Sequence, residues 1–569
     1  MIEKLKNTLK SVIESGLKKE YNEDFVVIVE EPKRADQGDI SVPVFSVVKQ
    51  LKKPLPEVVG LITSIIKESE YSVLFSEVYA IGGFINLKLN KQTASKKIIN
   101  EFFESTTPVG SSSIGNGKTI CMDYSSPNIA KSFSIGHLRS TIIGAAIGNI
   151  LEKCGYTVVR INHLGDFGTQ FGKIIYAYLH YGNEELVKKN PIEELVKLYV
   201  EFHELAKENP SLEDSAREIF KELEQKNPKY VALWTWFREE SLKDYMEIYK
   251  LLNVSFDSYD GEAFFYDKTK PIIQELTDKN LLVLDQGAMI VDLGEDFPPA
   301  LIQKSDGSTL YITRDLAALF YRKNTYHFDK VLYVVGNEQK LYFEQIRKVV
   351  DLMGYPYKDE IIHINFGLVL QDGKKMSTRK GKIVRLIDVL TEATSLSLNY
   401  INEKNPDLEN KEEIASKIGI SAVIFNDLKN YRANDFEFNL EDMVNFSGQT
   451  GPYLQYTSVR ITSILQSVGY VPTENLDYTL FDDEQTFEML KALSVYDEVI
   501  EKSAQEYAPS VLAKYLLNLS SLFNTFYGKE KINVPNAFER NTKLTLLYIV
   551  KSILDDGMKL LGMQIIDKM

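Results

Sequence analysis

From Lys118 onward the chain alternates strand-like and helix-like segments, and this alternation constrains its fold more than any other feature. KTICMDY (118–124) is followed by GHLRSTIIGAAIGNILEKC (136–154), then YTVVRIN (156–162), then DFGTQFGKIIYAYLHYG (166–182). Short apolar, β-branched runs separated by longer runs of helical spacing build parallel sheets, whose crossovers need a helix. Gly136 and His137 then fall at a strand-to-helix junction, with a helix expected from about Gly136 to Lys153. Such junctions hold phosphates. Helix-start N–H groups and an imidazole can meet phosphate oxygens, and a glycine removes the Cβ that would block an adenine ring.

The alternation stops and then resumes. Residues 183 to about 255 read as charged helix, with Leu195, Leu198, Tyr199, Phe202 and Leu205 on one apolar face and Asn-Pro breaks at 190 and 209. Hairpin-like LLVLDQGAMIVDL (281–293) follows, then STLYIT (308–313), a helix from Arg314, KVLYVVG (330–336), another helix and IIHINFGLVL (361–370). These read as the second half of the sheet. The fold class expected is multidomain α/β: a Rossmann-like parallel-sheet domain at 109–390 with a helical insertion at about 183–290, an N-terminal α+β domain at 1–108, a helical connecting region at 391–450 and a C-terminal α-helical bundle at 451–569. The first unit opens with a helix carrying Leu5, Leu9, Val12, Ile13 and Leu17 and contains strand-like FVVIVEE and GFINLKL; a Gly/Ser-containing linker at 107–117 closes it.

A second segment complements Gly136 and His137. Between Asp372 and Asp388 stand Lys374, Lys375, Arg379, Lys380, Lys382 and Arg385, interleaved with Gly373, Met376 and Ser377. A solvated charged face is the ordinary reading of such a run. The embedded Met-Ser and the strand-like flank favour a loop whose cations fold over a triphosphate and neutralise charge developing at its α-phosphate. Together the two segments point to ATP.

The bulk numbers narrow the remaining choices. A length of 569 residues is large for one core, and 44% hydrophobic with 26% charged residues is ordinary for a globular protein. No apolar run reaches the roughly 18 to 20 residues needed to cross a bilayer, and MIEKLKNTLKSVIES lacks a signal-peptide core, so the cytoplasm is expected and a membrane is not. Cys121 and Cys154 have no paired-ligand spacing, which indicates neither a disulfide framework nor a structural metal. A net charge of −14 argues against indiscriminate nucleic-acid binding while leaving room for a local basic track.

The segments NIAKSFSIGHLRST (128–141) and GKKMSTRKGK (373–382) resemble the two signature sequences of class I aminoacyl-tRNA synthetases, in order and in spacing. SSPNIAKSFSIGHLRST, LGDFGTQFG, YITRDLAA, VVGNEQKLYFEQ, KKMSTRKG and GQTGPYLQY narrow the resemblance to arginyl-tRNA synthetases of bacterial type. It implies attachment of L-arginine to tRNA(Arg) through an arginyl-adenylate, with ATP as substrate, Mg2+ accompanying it, no structural metal, and a monomer. By resemblance Ser134, Gly136, His137, Lys375, Met376 and Ser377 hold ATP. His137, Lys131, Lys375, Arg379 and Lys380 are the candidates for stabilising the reacting phosphate. Asp123, Tyr311, Asp315 and Gln339 match the arginine side-chain pocket, and Asn128 and His137 stand where the amino acid's α-amino and carboxylate ends are held. Residues 1–108 resemble the family's tRNA-contacting extra domain and 451–569 its anticodon-binding bundle, where Tyr453 and Tyr456 are candidates for base stacking.

Two positions depart from the family pattern. Ser134 replaces the first histidine of one signature and Thr378 the second lysine of the other, so Lys131, Arg379 or Lys380 is expected to restore the missing charge. Plainer roles compete throughout: a turn or cap for Asp123, a surface ion pair for Asp315 beside Arg314, a buried core tyrosine for Tyr453. Other class I synthetases, a noncatalytic tRNA-binding relative and a small-molecule nucleotidyltransferase are the alternative functions. A guanidinium wants carboxylates in its plane, and Asp123 with Asp315 supplies them.

Overall fold

The structure, a computed structural model, describes all residues except Met1, Lys33, Ala35, Asp36, Asp306, Ser377, Lys380 and Gly381, and for Ile2, Glu3, Thr378, Arg379, Lys382 and Ile383 it describes the backbone alone. At its centre lies a four-stranded parallel sheet in the order Ile361–Phe366, Lys330–Gly336, Thr119–Asp123, Thr157–Ile161. From Thr119–Asp123 the chain moves outward through the helix Ile135–Lys153 to Thr157–Ile161. From Lys330–Gly336 it moves the other way through Lys340–Leu352 to Ile361–Phe366. The strand order therefore reverses between Asp123 and Gly336, which is where an open α/β sheet leaves a crevice at its carboxyl ends.

Two-residue alternation sorts the strand side chains into two cores. Ile120, Met122, Leu332, Val334 and Ile364 face the core that holds Leu138 and Ile142. Cys121, Val331, Tyr333 and Ile361 face the opposite one, with Leu316 and Phe343. The helix Ile135–Lys153 is buried on almost every side, which its apolar composition all round requires.

The second half of the sheet differs from the expected layout. STLYIT is not a strand: Leu310 is the last extended residue and the helix Tyr311–Tyr326 begins directly after it. Tyr311 and Asp315 therefore share a helix face rather than straddling a strand-to-helix turn. The β-branched residues that suggested a strand serve the helix start instead, Thr313 Oγ1 donating to the Ile302 carbonyl at 2.6 Å. The expected hairpin does form, as Leu282–Asp285 with Ala288–Val291, but in its own antiparallel sheet with Ala300–Gln303. IIHINFGLVL breaks at Gly367, where a Cβ would stand 2.5 Å from the Asn434 carbonyl carbon; Val369–Gln371 then pairs with Phe436–Glu437.

The helix Thr169–Tyr181, read in sequence with the sheet, packs on the inserted helices Pro191–Glu208 and Ser211–Glu224. In the N-terminal unit GFINLKL forms Phe84–Leu89 at the middle of a three-stranded antiparallel sheet. FVVIVEE does not form a strand; it makes one isolated bridge, Glu30 to Ser41, with Phe25 and Val27 buried and Val26 and Ile28 exposed. The C-terminal region is helical from Leu386, and its helix Pro509–Lys529 buries Leu512, Tyr515, Leu516, Leu519, Phe523 and Phe526. No helix among the described residues is long and apolar enough to cross a membrane.

Candidate functional site

The turn between the first strand and its helix is held in an uncommon backbone conformation. Ser125, Ser126 and Ala130 have φ of 71°, 44° and 58°, left-handed values that non-glycine residues adopt only where surrounding bonds hold them. Those bonds are present. The Ser125 N–H donates to Ser140 Oγ at 2.9 Å, and Ser140 donates in turn to the Val334 carbonyl at 2.7 Å. The Tyr245 hydroxyl lies 2.6 Å from the carbonyls of both Asn128 and Lys131. The turn is thereby fixed to the next helix, to the neighbouring strand and to the inserted helix Pro228–Leu251.

His137 sits in the first turn of the following helix. Its Nδ1 accepts the Ser134 N–H at 3.0 Å, which leaves Nε2 to carry the proton of the neutral ring. Burial, then the positive charge of Lys131, lower its pKa to about 4. At neutral pH the ring is an uncharged hydrogen-bond donor. Gly136 is not demanded by packing: a Cβ there would meet only Ser134 Oγ, at 3.5 Å, so the space it leaves belongs to the cavity.

That cavity has a volume of about 770 Å³ and occupies the crevice between Asp123 and Gly336. Gly136, His137, Lys375 and Met376 line it, together with Asp123, Asn128, Tyr311, Asp315 and Gln339. Asp315 is covered by the Tyr342 hydroxyl, which donates to it. Burial raises its pKa to about 6, against the Tyr342 hydrogen bond and with Asp123 adding to the rise. Asp123 is not free: its Oδ2 pairs with Arg322 at 2.8 Å and its Oδ1 accepts from Ser126 Oγ at 3.0 Å. Glu262 also lines the wall, paired with Arg314 at 2.8 Å, and burial lifts its carboxyl to about 7. Asn128, Glu262 and Tyr311 are shared with an adjoining cavity of about 450 Å³, whose wall includes Lys131, Gln170, Lys270 and Lys304.

The basic segment is built from hairpins rather than an open loop. Lys374–Lys375 pairs with Val369–Gln371, and Thr378–Arg379 with Lys382–Ile383. Its far end is joined to the His137 helix: the Ile135 N–H donates to Val384 O at 3.0 Å, and the Leu386 N–H to Phe133 O at 2.8 Å. Ser377, Lys380 and the side chain of Arg379 lie outside the described residues.

Comparison with known proteins decides the family. Residues 104–440 match the family described as tRNA synthetases class I (R), catalytic domain; residues 2–89 match the arginyl tRNA synthetase N terminal domain, and 454–569 the DALR anticodon binding domain. The chain belongs to the arginyl-tRNA synthetase family. The arginine–tRNA ligase of Enterococcus faecalis is 46% identical over 98% of this chain and 100% of its own length. That of Exiguobacterium sibiricum is 47% identical over 95% of each. Among solved structures, the arginyl-tRNA synthetase of Plasmodium falciparum superposes with a TM-score of 0.79 at 26% identity, covering 99% of both chains. The Thermus thermophilus arginyl-tRNA synthetase gives 0.80 at 23% identity, covering 99% of this chain and 100% of that one, a likeness of fold.

Within this synthetase fold, one cavity gathers eight residues singled out from sequence: Asp123, Asn128, Gly136, His137, Tyr311, Asp315, Gln339 and Lys375, with Met376 buried at its edge. Ser134 stands behind His137 as the residue before the helix, and Lys131 lines the adjoining cavity. Sequence reasoning missed Arg322, Tyr342, His163 and Glu262. Each is a common residue type inside a helix or loop, and only the fold brings it to Asp123 or Asp315. In the bundle, Tyr453 accepts a hydrogen bond from Asn524 at 2.9 Å and is half-buried, whereas Tyr456 is exposed, with the Arg460 guanidinium 4.7 Å from its ring and 5.3 Å from that of Tyr527.

Proposed function

We propose that the chain attaches L-arginine to tRNA(Arg) in two steps, forming arginyl-adenylate from arginine and ATP and then passing the arginyl group to the 3′-terminal ribose of the tRNA. The observation that carries this reading is a single cavity lined both by carboxylates, Asp123 and Asp315 among them, and by a helix start with His137 and Lys375. An amino acid with a guanidinium and a nucleotide triphosphate are the pair that such polarity fits.

In the first step the arginine carboxylate attacks the α-phosphorus and pyrophosphate leaves. Little covalent chemistry falls to the protein, so alignment and charge stabilisation do the catalysis. Asp315 and Asp123, with Tyr311 and Gln339, hold the guanidinium, and Asn128 the α-amino end. Gly136 admits the adenine. His137 donates through Nε2–H to the α-phosphate as its oxygens gain charge, and Lys375 supplies a cation from the rim. Lys131, Arg379 and Lys380 are the candidates for the charge that Thr378 lacks. Mg2+ accompanies the triphosphate. In the second step a ribose hydroxyl attacks the arginyl carbonyl and AMP leaves.

Tyr456 and Tyr527, two exposed rings flanking Arg460, offer a stacking platform for a splayed base of the tRNA. The N-terminal unit rests on the same bundle, Lys91 bonding to Glu484 at 2.5 Å and Gln92 to Asp482 at 2.8 Å, so both can meet one folded RNA. Action as a monomer in the cytoplasm completes the reading. ATP/pyrophosphate exchange with each of the twenty amino acids, with and without total tRNA, tests it. Exchange with arginine alone is expected, and exchange with a different amino acid would replace the assignment.

A further inference from the structure

The helix Tyr311–Tyr326 presents three polar residues in order of depth. Tyr311 is 65% exposed at the mouth, Asp315 is half-buried one turn on, and Arg322, two turns further along the same face, is 1% exposed. Arg322 does not line the cavity, but its partners do. One guanidinium nitrogen pairs with Asp123 Oδ2 at 2.8 Å and lies 3.4 Å from the Tyr333 hydroxyl; the other reaches His163 Nδ1 at 3.4 Å. Its Nε, also buried, has no partner among the described residues.

Burying an ion in this way costs several kcal/mol, and an apolar side chain of similar volume would fill the space without that cost. The pair is therefore weakly accounted for by stability. It has a clear geometric effect: Arg322 from below and Ser126 from the side hold one oxygen each of Asp123, and the plane of that carboxylate is set before any ligand arrives. It also has an electrostatic effect. Asp123 and Asp315 share one cavity wall, and without an internal cation two carboxylates would compete for one incoming guanidinium.

Building on the arginine reading above, we infer that Arg322 is a positioning residue for amino-acid recognition: it orients Asp123 and balances its charge, so that Asp315 stays available as the anion for the substrate guanidinium. Burial is the largest single influence on Arg322 and opposes its charge, but Asp123, joined by Tyr333 and Asp315, more than offsets it and the guanidinium stays protonated. The groups that face Asp315 are Asp123 from the strand end, Tyr342 from the next helix, Glu262 and Tyr333 from the cavity lining, and Arg314 and Arg322 from its own helix. Deleting Arg322 removes one of the two guanidinium charges near Asp315, and Asp315 then holds its proton to higher pH.

The test is pyrophosphate exchange, with total tRNA present, on Arg322→Gln, Arg322→Lys, Asp123→Asn and the Asp123→Asn/Arg322→Gln double variant between pH 6.5 and 9. Arg322→Gln should raise the arginine KM about 50-fold at pH 7 with the ATP KM within about twofold, and the defect should shrink as pH rises. Arg322→Lys should recover most of the loss. On the Asp123→Asn background the second change should add less than about threefold, as for two residues acting through one contact. Parallel rises in both KM values, full additivity, a pH-independent defect or a fall in the arginine KM would each overturn the assignment. If Arg322→Gln yields no folded protein, Arg322→Lys against Asp123→Asn carries the test, and a lysine variant with the full asparagine defect overturns it. The unsubstituted protein is run alongside, so that failure of arginine activation itself is separable from failure of the Arg322 role.

Discussion

Arg139 and Asp427 lie 288 positions apart in the chain and meet as an ion pair in which each side chain is 1% exposed, Arg139 Nε standing 3.1 Å from both carboxylate oxygens. The remaining guanidinium nitrogens donate to the carbonyls of Asn434 and Arg432 at 2.9 and 3.2 Å. All three guanidinium nitrogens of Arg139 thus tie the His137 helix to the helical region beyond the sheet. Asp427→Ala leaves a buried cation unpaired and should cost about 3 to 5 kcal/mol. Arg139→Met with Asp427→Leu should cost less than that single change. Denaturant midpoints for the two variants check both, and a single-variant loss under about 1 kcal/mol would contradict the prediction.

His137→Ala should lower the rate of arginine activation by about a hundredfold, near 3 kcal/mol of barrier, while arginine binding changes little. The rate through this group should also be flat from pH 6 to 8, because a ring with a pKa of about 4 is already neutral across that window. A rate that falls as pH rises through 6.5 would mean that His137 acts as a cation. Rapid-quench kinetics at several pH values separates the two.

The carboxyl of Asp315 should give arginine binding a pH dependence. Its pKa of about 6 in the free protein lies above the ordinary carboxylate value, so the proton is held below pH 6 and lost above it. Binding a guanidinium requires the ionised form. Affinity is therefore fully present above about pH 7 and should fall about tenfold per pH unit once pH drops below 6. Asp315→Asn should remove this dependence and weaken arginine by roughly 2 to 5 kcal/mol, with ATP binding unchanged as the control for folding. Calorimetric titration of arginine across pH 5 to 8 reads both effects.

Lys131 lies close enough to His137 for its charge to lower the histidine pKa, yet it faces the adjoining cavity. If it provides the cation absent at Thr378, Lys131→Ala should slow activation and Thr378→Lys should restore part of the rate. Coupling of about 1 to 3 kcal/mol is expected for two ammonium groups serving one phosphate. Strict additivity in a double-mutant cycle on exchange would leave Arg379 or Lys380 with the task.

Tyr456→Ala should raise the KM for tRNA by about tenfold, a little over 1 kcal/mol, in keeping with the loss of one stacked base, with exchange kinetics unaltered. Tyr453→Ala should instead lower stability, because Tyr453 is half-buried and hydrogen-bonded to Asn524. Aminoacylation kinetics paired with thermal melts distinguishes the two positions.

The parts of the site that sequence revealed are those where a backbone requirement and a side-chain requirement coincide. Gly136 next to His137 after a β-branched run announces a strand–turn–helix phosphate site, and the fold places both on the cavity wall. Tyr311 lines the cavity in a setting other than the expected one: in STLYIT the local β-branched preference points to a strand, and the contact of Thr313 with Ile302, which no local signal carries, makes it a helix start. FVVIVEE fails for the opposite reason. Its alternation is real, with Phe25 and Val27 buried, but among the described residues the Glu30–Ser41 bridge is its single strand-like pairing. Arg322 and Asp427 were invisible because a buried charge is defined by its partner, and those partners lie 199 and 288 residues away in the chain, the first distance being 322 − 123.

The bonds from Ile135 N–H to Val384 O and from Leu386 N–H to Phe133 O close the intervening chain into a ring at its neck. What lies inside the ring, including the inserted helices and the small antiparallel sheet, can lengthen, shorten or be exchanged without changing the separation of the two signature segments. The separation of the two segments is set by two adjacent backbone hydrogen bonds rather than by the residues threaded between them. Circular permutants or insertions made far inside the ring should therefore leave activation intact, whereas a single proline at Ile135 or Leu386, which deletes one of those N–H groups, should open the neck.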